Sequence, residues 1–386
     1  MKKLILVIVS SIFALLLGEL VLKLFFPLAV KTDHNKIFCQ YDSLLGWTKI
    51  PNYEGFHITE EYKVKESFNS KGLRGSEYNY NKTGKEKRIL IFGDSFTEAY
   101  MVNFKDMFSE VLKRHLNDKD SSGQKLYEVI NFGTGGYSTD QELLCFKSEG
   151  VKYNPDIVIL MFCANDVWYN NQKEYWRGYK PMYECIDGRL FLTNVPVPVK
   201  DSHEPVVYTR IKEWAANHSE IYKRTCIVKD KITIALRGDE NGIPGDFLVY
   251  LKNPDNNVKH AWDITEALIS ELKIICDSVN SDLIVFYIPP FEGIYDNIWQ
   301  ELKSGYNMAD DEYSVTMPAV KLAMICKKLG INFIDPTQKL KLKADILLKN
   351  ENAYIYYKVD KHLNKIGNQL VGGILALYIQ KSDSAI

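Results

Sequence analysis

Three apolar runs of the chain each stop abruptly at a polar turn. RILIF (88–92) ends in Gly93-Asp94-Ser95, YEVINF (127–132) leads into GTGGYST, and DIVILMF (156–162) leads into Cys163-Ala164-Asn165-Asp166. Far downstream, YYKVDKHLN supplies Asp360 and His362 just before the last helical stretch. These residue types suit acyl transfer. A serine hydroxyl is a weak nucleophile that needs an imidazole to take its proton, and a carboxylate on the other ring nitrogen fixes the tautomer and stabilises the imidazolium. The tetrahedral oxyanion then needs preorganised donors. Backbone N–H groups at Gly133, Gly135 or Gly136 and the side-chain amide of Asn165 can supply them, at about 3 kcal/mol each in the transition state. Ser95, His362 and Asp360 complete the inventory. Taken alone, a Gly-Asp-Ser turn is better read as a strand-to-helix junction with a capping side chain; it is the four blocks in this order that point to chemistry.

The elements that must position these residues follow from the hydrophobic pattern. Strand-like runs at 88–92, 127–132, 156–162, 283–288 and 332–334 alternate with helix-like stretches at 106–116, 139–150, 261–279, 317–330 and about 364–380. Such alternation is the signature of a parallel sheet covered on both faces. In a parallel sheet the ends of the first three strands share one edge, so Ser95, the glycine turn and Asn165 converge there. Right-handed crossovers make the expected class α/β, a flavodoxin-like three-layer α/β/α arrangement with strand order 2-1-3-4-5. From 167 to about 258 the rhythm breaks, and an aromatic-rich, then Gly- and Pro-bearing stretch reads as a lid or substrate-binding insertion. Its aromatics suit either stacking on sugar rings or packing of the insertion itself.

Ahead of the first core strand, residues 31–87 alternate aromatics with Gly, Asn and Pro and read as short strands and turns packed on the main body. Within it, NSKGLRG raises Arg74 as an anion contact near the site. The N-terminus is different. From Leu4 to Val30 only Ser10, Ser11, Glu19 and Lys23 interrupt an apolar run, long enough through Phe26 to span a bilayer. No small-x-small cleavage site precedes the following region, which favours an uncleaved anchor over a cleaved secretory signal. Glu19 and Lys23, four apart, are placed to pair near the outer end. Lys2 and Lys3 put the first residues on the cytoplasmic side and the rest of the chain outside. The domain reading is an anchor at 1–30, an ancillary region at 31–87 and a catalytic domain at 88–386 with the insertion 167–258.

Composition removes other classes. Lys plus Arg, 48, nearly cancels Asp plus Glu, 49, so no basic surface calls for a nucleic-acid partner. The seven cysteines show no C-x-x-C spacing, and Cys145, Cys163, Cys276 and Cys326 sit in apolar runs as small buried hydrophobes. His34, His57, His115, His203, His218 and His260 have no metal-like spacing, so neither metal nor cofactor is expected.

The GDS block at Ser95, the NFGTGG block, the CAND block and the final DKHLN block together resemble the SGNH or GDSL-type serine hydrolases, over roughly residues 88–162 and 260–380. The resemblance implies Ser95 as nucleophile, His362 as base, Asp360 as its orienter, and the Ser95 N–H, Gly136 and Asn165 as the oxyanion hole. Two departures stand out. The family commonly has D-x-x-H where this chain has Asp360-Lys361-His362, which some polysaccharide-acetylating relatives resemble, and Ala164 replaces the usual glycine, adding a methyl to the pocket. The expected function is an anchored, extracytoplasmic serine esterase acting on O-acyl groups, acetyl first, of a cell-surface glycan. A glycan O-acetyltransferase, a lipid-directed esterase and a catalytically silent glycan-binding scaffold are the alternatives.

Overall fold

Apolar residues occupy nearly every position of the central strands, as a sheet buried on both faces requires. In the computed structural model, which describes residues 2–26, 28, 32–84, 86–118, 127–175, 178–199, 211–212, 214–216, 218–236 and 242–384, these runs form one five-stranded sheet. Its strands are β1 (Lys87–Gly93), β2 (Tyr127–Asn131), β3 (Ile157–Cys163), β4 (Asp282–Ile288) and β5 (Asn332–Ile334). The order is β2-β1-β3-β4-β5, all pairs parallel, with Ile89 opposite Val129 on one side and Ile157 on the other. The expected α/β class and strand order 2-1-3-4-5 are both observed.

Contacts divide the chain into two units, each described by itself: residues 1–32, 58–60 and 200–244, and residues 33–57, 61–199 and 245–386. In the larger unit, helices Phe108–Asn117 and Lys365–Ser384 contribute Phe108, Leu112, Val371 and Leu375 to a core shared with Ile89, Ile159 and Phe286 of the sheet. Gly372 lets the two helices touch, since a Cβ there would lie 2.6 Å from the Phe108 carbonyl oxygen. Helices Thr139–Ser148, Asn256–Ser278 and Met317–Leu329 stand where the pattern placed them. Two further helices, Asp296–Tyr306 and Thr337–Glu351, were not anticipated.

The segment ahead of β1 forms the antiparallel hairpins Cys39–Asp42 with Gly46–Lys49 and Glu54–Ile58 with Lys63–Ser67. Within the 167–258 stretch lie the hairpin Met182–Ile186 with Arg189–Thr193 and the helix Glu220–Leu236. Part of its aromatic content is spent on packing: Tyr169 and Tyr175 have ring centroids 3.7 Å apart, and Trp168 covers Gly245. Trp176 and His203 lie outside the described residues. All seven cysteines are free, and Cys145 is half-buried rather than buried as its apolar run suggested.

In the smaller unit, the N-terminal helix Lys2–Phe25 is apolar over Ile5–Phe25 and exposed along most of its length, with Gly18, Glu19 and Leu22 half-buried. Glu19 does not pair with Lys23 as the four-residue spacing suggested. Its carboxylate accepts instead from the Ser219 hydroxyl at 2.9 Å and from the N–H groups of Glu220 and Ile221 at 2.6 and 3.1 Å.

Candidate active site

The Ser95 hydroxyl lies where β1 gives way to the one-turn helix Ser95–Glu98. Asp94 caps that helix, its carboxylate accepting the Phe96 N–H at 2.9 Å, the usual solution for orphan donors at a helix start. Gly93 is required by the tight junction: a Cβ there would stand 2.0 Å from Thr97 Oγ1. Asn131, at the end of β2, pins the same helix by donating to the Thr97 carbonyl at 2.7 Å. Gly133 lies against the Thr97–Glu98 peptide, where a Cβ would come within 2.3 Å of the Glu98 nitrogen.

Ser95 Oγ is 2.7 Å from His362 Nε2, and His362 Nδ1 is 2.5 Å from Asp360 Oδ1. The chain thus brings Ser95 together with Asp360 and His362, more than 260 positions downstream, in the connectivity a nucleophile, base and orienter need. The two-residue spacing of Asp360 and His362 works because Lys361 between them adopts a left-handed conformation, φ 64°, so both side chains turn to the same side. Burial pushes the His362 imidazolium down, but its hydrogen bond to Asp360 and the charges of Asp360 and Asp94 outweigh this, and its pKa is raised. For Asp360, burial pushes up, while the His362 hydrogen bond and charge and a bond from Tyr62 bring the carboxyl below its usual range.

The three expected oxyanion donors are left uncommitted by their neighbours. The Ser95 N–H, the Gly136 N–H and the Asn165 carboxamide make no hydrogen bond to described residues. Asn165 rides on the helix Ala164–Asn170, whose start is fixed by Asp166 accepting the Cys163 N–H at 3.0 Å. Gly135, by contrast, donates its N–H to Glu98 Oε2 at 2.6 Å.

Several residues around this group carried no expected role. Tyr62 donates its hydroxyl to Asp360 Oδ2 at 2.7 Å. The Glu61 carboxylate collects the N–H groups of Lys358 at 2.7 Å, Val359 at 3.1 Å and Asp360 at 2.7 Å, tying down the turn that carries the acid and the histidine. Trp47 donates its indole N–H to the Gly135 carbonyl at 3.1 Å. Arg74 is not an anion contact: it is buried, and donates to the carbonyls of Ala99 at 2.6 Å and Val102 at 2.7 Å. None of these pairings has a local sequence signal, because the partners lie 25 to 299 positions apart.

Behind the glycine turn sits a buried charge cluster. His34 Nε2 is 3.1 Å from Glu66 Oε1 and 3.2 Å from Glu98 Oε1, ligand atoms within 4.8 Å of one another, as a metal site would place them. Lys49 Nζ already lies 2.6 Å from Glu98 Oε2, and Arg74 is buried alongside. Burial lowers the His34 pKa, yet Glu98 and Glu66 outweigh it and leave His34 raised. The two carboxylates are therefore balanced by the protein's own cations.

A model of the GDSL-like lipase/acylhydrolase family matches residues 91–247. The chain carries a domain of that family. It is an ester hydrolase of the GDSL type, and the matched segment holds Ser95, Gly136 and Asn165 while Asp360 and His362 follow it in sequence. Among solved structures, a catalytic mutant of Axe2, an acetylxylan esterase from Geobacillus stearothermophilus, is 13% identical, covering 77% of this chain and 95% of that one with a TM-score of 0.39. The acetyl xylan esterase AlAXEase is 16% identical over 74% of this chain and 96% of that one, TM-score 0.40. LAE5, an α/β hydrolase from the metagenome of Lake Arreo, Spain, is 12% identical over 77% and 98%, TM-score 0.39. No curated protein matches the sequence.

Proposed function

We propose that this GDSL-type hydrolase is a membrane-tethered, extracytoplasmic serine esterase that removes O-acyl groups, acetyl first, from a cell-surface glycan. Residues 88–386 carry the chemistry, with 167–258 as an insertion, 31–87 as its brace and 1–30 as the tether. The observation that carries the reading is the run of short contacts from Ser95 Oγ through the His362 ring to Asp360.

Neutral His362 takes the Ser95 proton on Nε2 as Oγ attacks the acyl carbonyl carbon. The carbonyl oxygen becomes an oxyanion held by the Ser95 N–H, the Gly136 N–H and the Asn165 amide. Collapse of the tetrahedral species breaks the bond to the sugar oxygen, which leaves with the proton from His362, and Ser95 is acylated. Water, deprotonated by His362, then attacks the acyl carbonyl, and release of the carboxylic acid returns Ser95 to its hydroxyl form. Asp360 stays ionised throughout and holds the imidazole in the productive tautomer.

The test is hydrolysis of p-nitrophenyl acetate and of an acetylated oligosaccharide by the full chain in detergent, beside Ser95→Ala and His362→Ala. Turnover that falls to background in both variants, with fluorophosphonate labelling of Ser95, supports the reading. A folded wild type no faster than Ser95→Ala and unlabelled would leave a silent scaffold instead. Faster hydrolysis of long acyl chains than of acetyl would move the substrate to lipid.

A further inference from the structure

The only acidic residue among the described residues of the N-terminal helix is Glu19, and it lies well inside the apolar stretch Ile5–Phe25, whose mean hydropathy is 2.7. A carboxylate there is costly in a bilayer unless protein donors meet it. The donors come from some 200 residues downstream: the Ser219 hydroxyl and the N–H groups of Glu220 and Ile221, at the start of the helix Glu220–Leu236. Ser219 caps this second helix from its own sequence, its hydroxyl accepting the Tyr222 N–H at 3.1 Å. Glu19 accepts from that hydroxyl and from the two N–H groups that precede Tyr222, at the end where the helix dipole favours negative charge.

The arrangement is reciprocal. Glu220 accepts the Leu28 N–H at 2.9 Å, and Arg224, which also pairs with Glu220 at 2.7 Å, donates to the Phe26 carbonyl just past the end of the N-terminal helix. Gly18 faces the second helix, where a Cβ would stand at an ordinary contact distance, 3.8 Å, from Ile221 Cδ1. Each helix end is therefore satisfied by side chains of the other. A leader removed after export would take with it the carboxylate that satisfies the Glu220 and Ile221 N–H groups of a helix that stays behind.

Beyond this junction the segment exposes large apolar side chains: Ile211, Trp214, Ile227, Val228 and Ile232 are each more than 40% exposed. They are interspersed with Lys212, Lys223, Arg224 and Lys229. A tryptophan and aliphatic residues among lysines and arginines are what an element lying in the headgroup region presents to lipid.

We propose that the N-terminal helix stays on the mature chain and that residues 211–236 form one membrane-embedded unit with it, Glu19 capping a second helix whose exposed apolar side chains lie in the bilayer interface. This rests on the tethered reading above. The occupant of the exposed apolar face is the lipid surface itself, because the face is continuous with a helix long and apolar enough to cross it.

The experiment reconstitutes the full chain in phosphatidylcholine nanodiscs whose acyl chains are or are not brominated near the headgroup. The Trp214 emission is isolated as wild type minus Trp214→Phe. Expected are an intact mass that includes the N-terminal helix, about twofold quenching of the Trp214 component by bromine, and loss of that quenching in Glu19→Leu. The Glu19→Leu span stays apolar, so the variant remains in the disc, and p-nitrophenyl acetate turnover reports that its hydrolase part is intact. A mature chain shortened by the helix would overturn both the tether and the inference. Full mass with Trp214 unquenched in the wild type, or equally quenched in Glu19→Leu, would overturn the inference and leave the tether standing.

Discussion

Replacing Tyr62 with phenylalanine deletes one hydroxyl and keeps the ring that packs on Tyr357, with centroids 5.0 Å apart. That hydroxyl sits 2.7 Å from Asp360 Oδ2, while the other carboxylate oxygen holds His362 Nδ1 at 2.5 Å. Burial, with the Asp360 charge adding to it, pushes the phenol above its usual range, so it donates at every working pH. A buried hydrogen bond to a charged group is worth about 1.5–3 kcal/mol. Asp360 is ionised in both the ground and the transition state, so most of that loss cancels. What survives is a looser hold on the imidazole, about 1 kcal/mol or roughly fivefold in kcat. The freed carboxylate also becomes more basic and draws the His362 proton harder. The acid limb of kcat/KM, which reports the free enzyme's base, therefore moves to higher pH in Tyr62→Phe. The assay is p-nitrophenyl acetate hydrolysis across the pH range for both proteins, with KM expected to change little. An unchanged kcat with an unmoved limb, or a limb displaced to lower pH, would refute the chain of reasoning from Tyr62 to the histidine.

Asp360→Asn removes the charge that outweighs burial at His362, so the acid limb falls to lower pH while kcat drops by about 10³-fold or more, since the imidazole tautomer is no longer fixed. Asn165→Ala deletes an uncommitted donor, and single-turnover acylation should slow by about 10²- to 10³-fold with substrate binding little affected. His57 is buried with Nδ1 lacking a partner, and burial together with the nearby His34 charge pulls its pKa down to about 4. A depressed histidine contributes stability that is present above its unfolded value near 6.5 and lost as pH falls toward the folded one. The Tm of wild type should thus fall relative to His57→Phe as pH is lowered through that window; a constant difference would count against it.

The sheet was legible because its strands are short apolar runs closed by turn residues, a pattern local in sequence. Thr337–Glu351 was not, for an equally local reason. TQKLKLKADILLKNE spaces Leu340 and Leu342 two apart, mimicking an alternating pattern, yet only Thr337, Leu340 and Ala344 are buried and Leu342 faces solvent. The Asp360-Lys361-His362 spacing looked short by one residue. The positive φ of Lys361 closes that gap, and nothing in a lysine's identity announces it. The brace of Glu61, Tyr62, Trp47 and Arg74 was beyond reach altogether, because each contact joins a residue of 31–87 to a turn whose position only the folded sheet defines.

The same brace supports Gly136 over Gly135 as the proposed oxyanion donor, two glycines whose roles the sequence left interchangeable. Glu98 is held from one side by Lys49 at 2.6 Å and from another by His34 at 3.2 Å, and it takes the Gly135 N–H at 2.6 Å. Trp47 donates its indole N–H to the Gly135 carbonyl, so Gly135 is held through both peptides that flank it, the second of which carries the Gly136 N–H. The next residue, Gly136, has φ 78°, a conformation a side chain would strain, and an N–H that no described residue accepts. One glycine is thus consumed in anchoring the turn so that the other can hold a donor in place with no reorganisation when charge develops, the condition under which such donors are most effective. In the proposed mechanism the buried ions of the brace act through Glu98, by holding the glycine turn rigid beside the Gly136 donor.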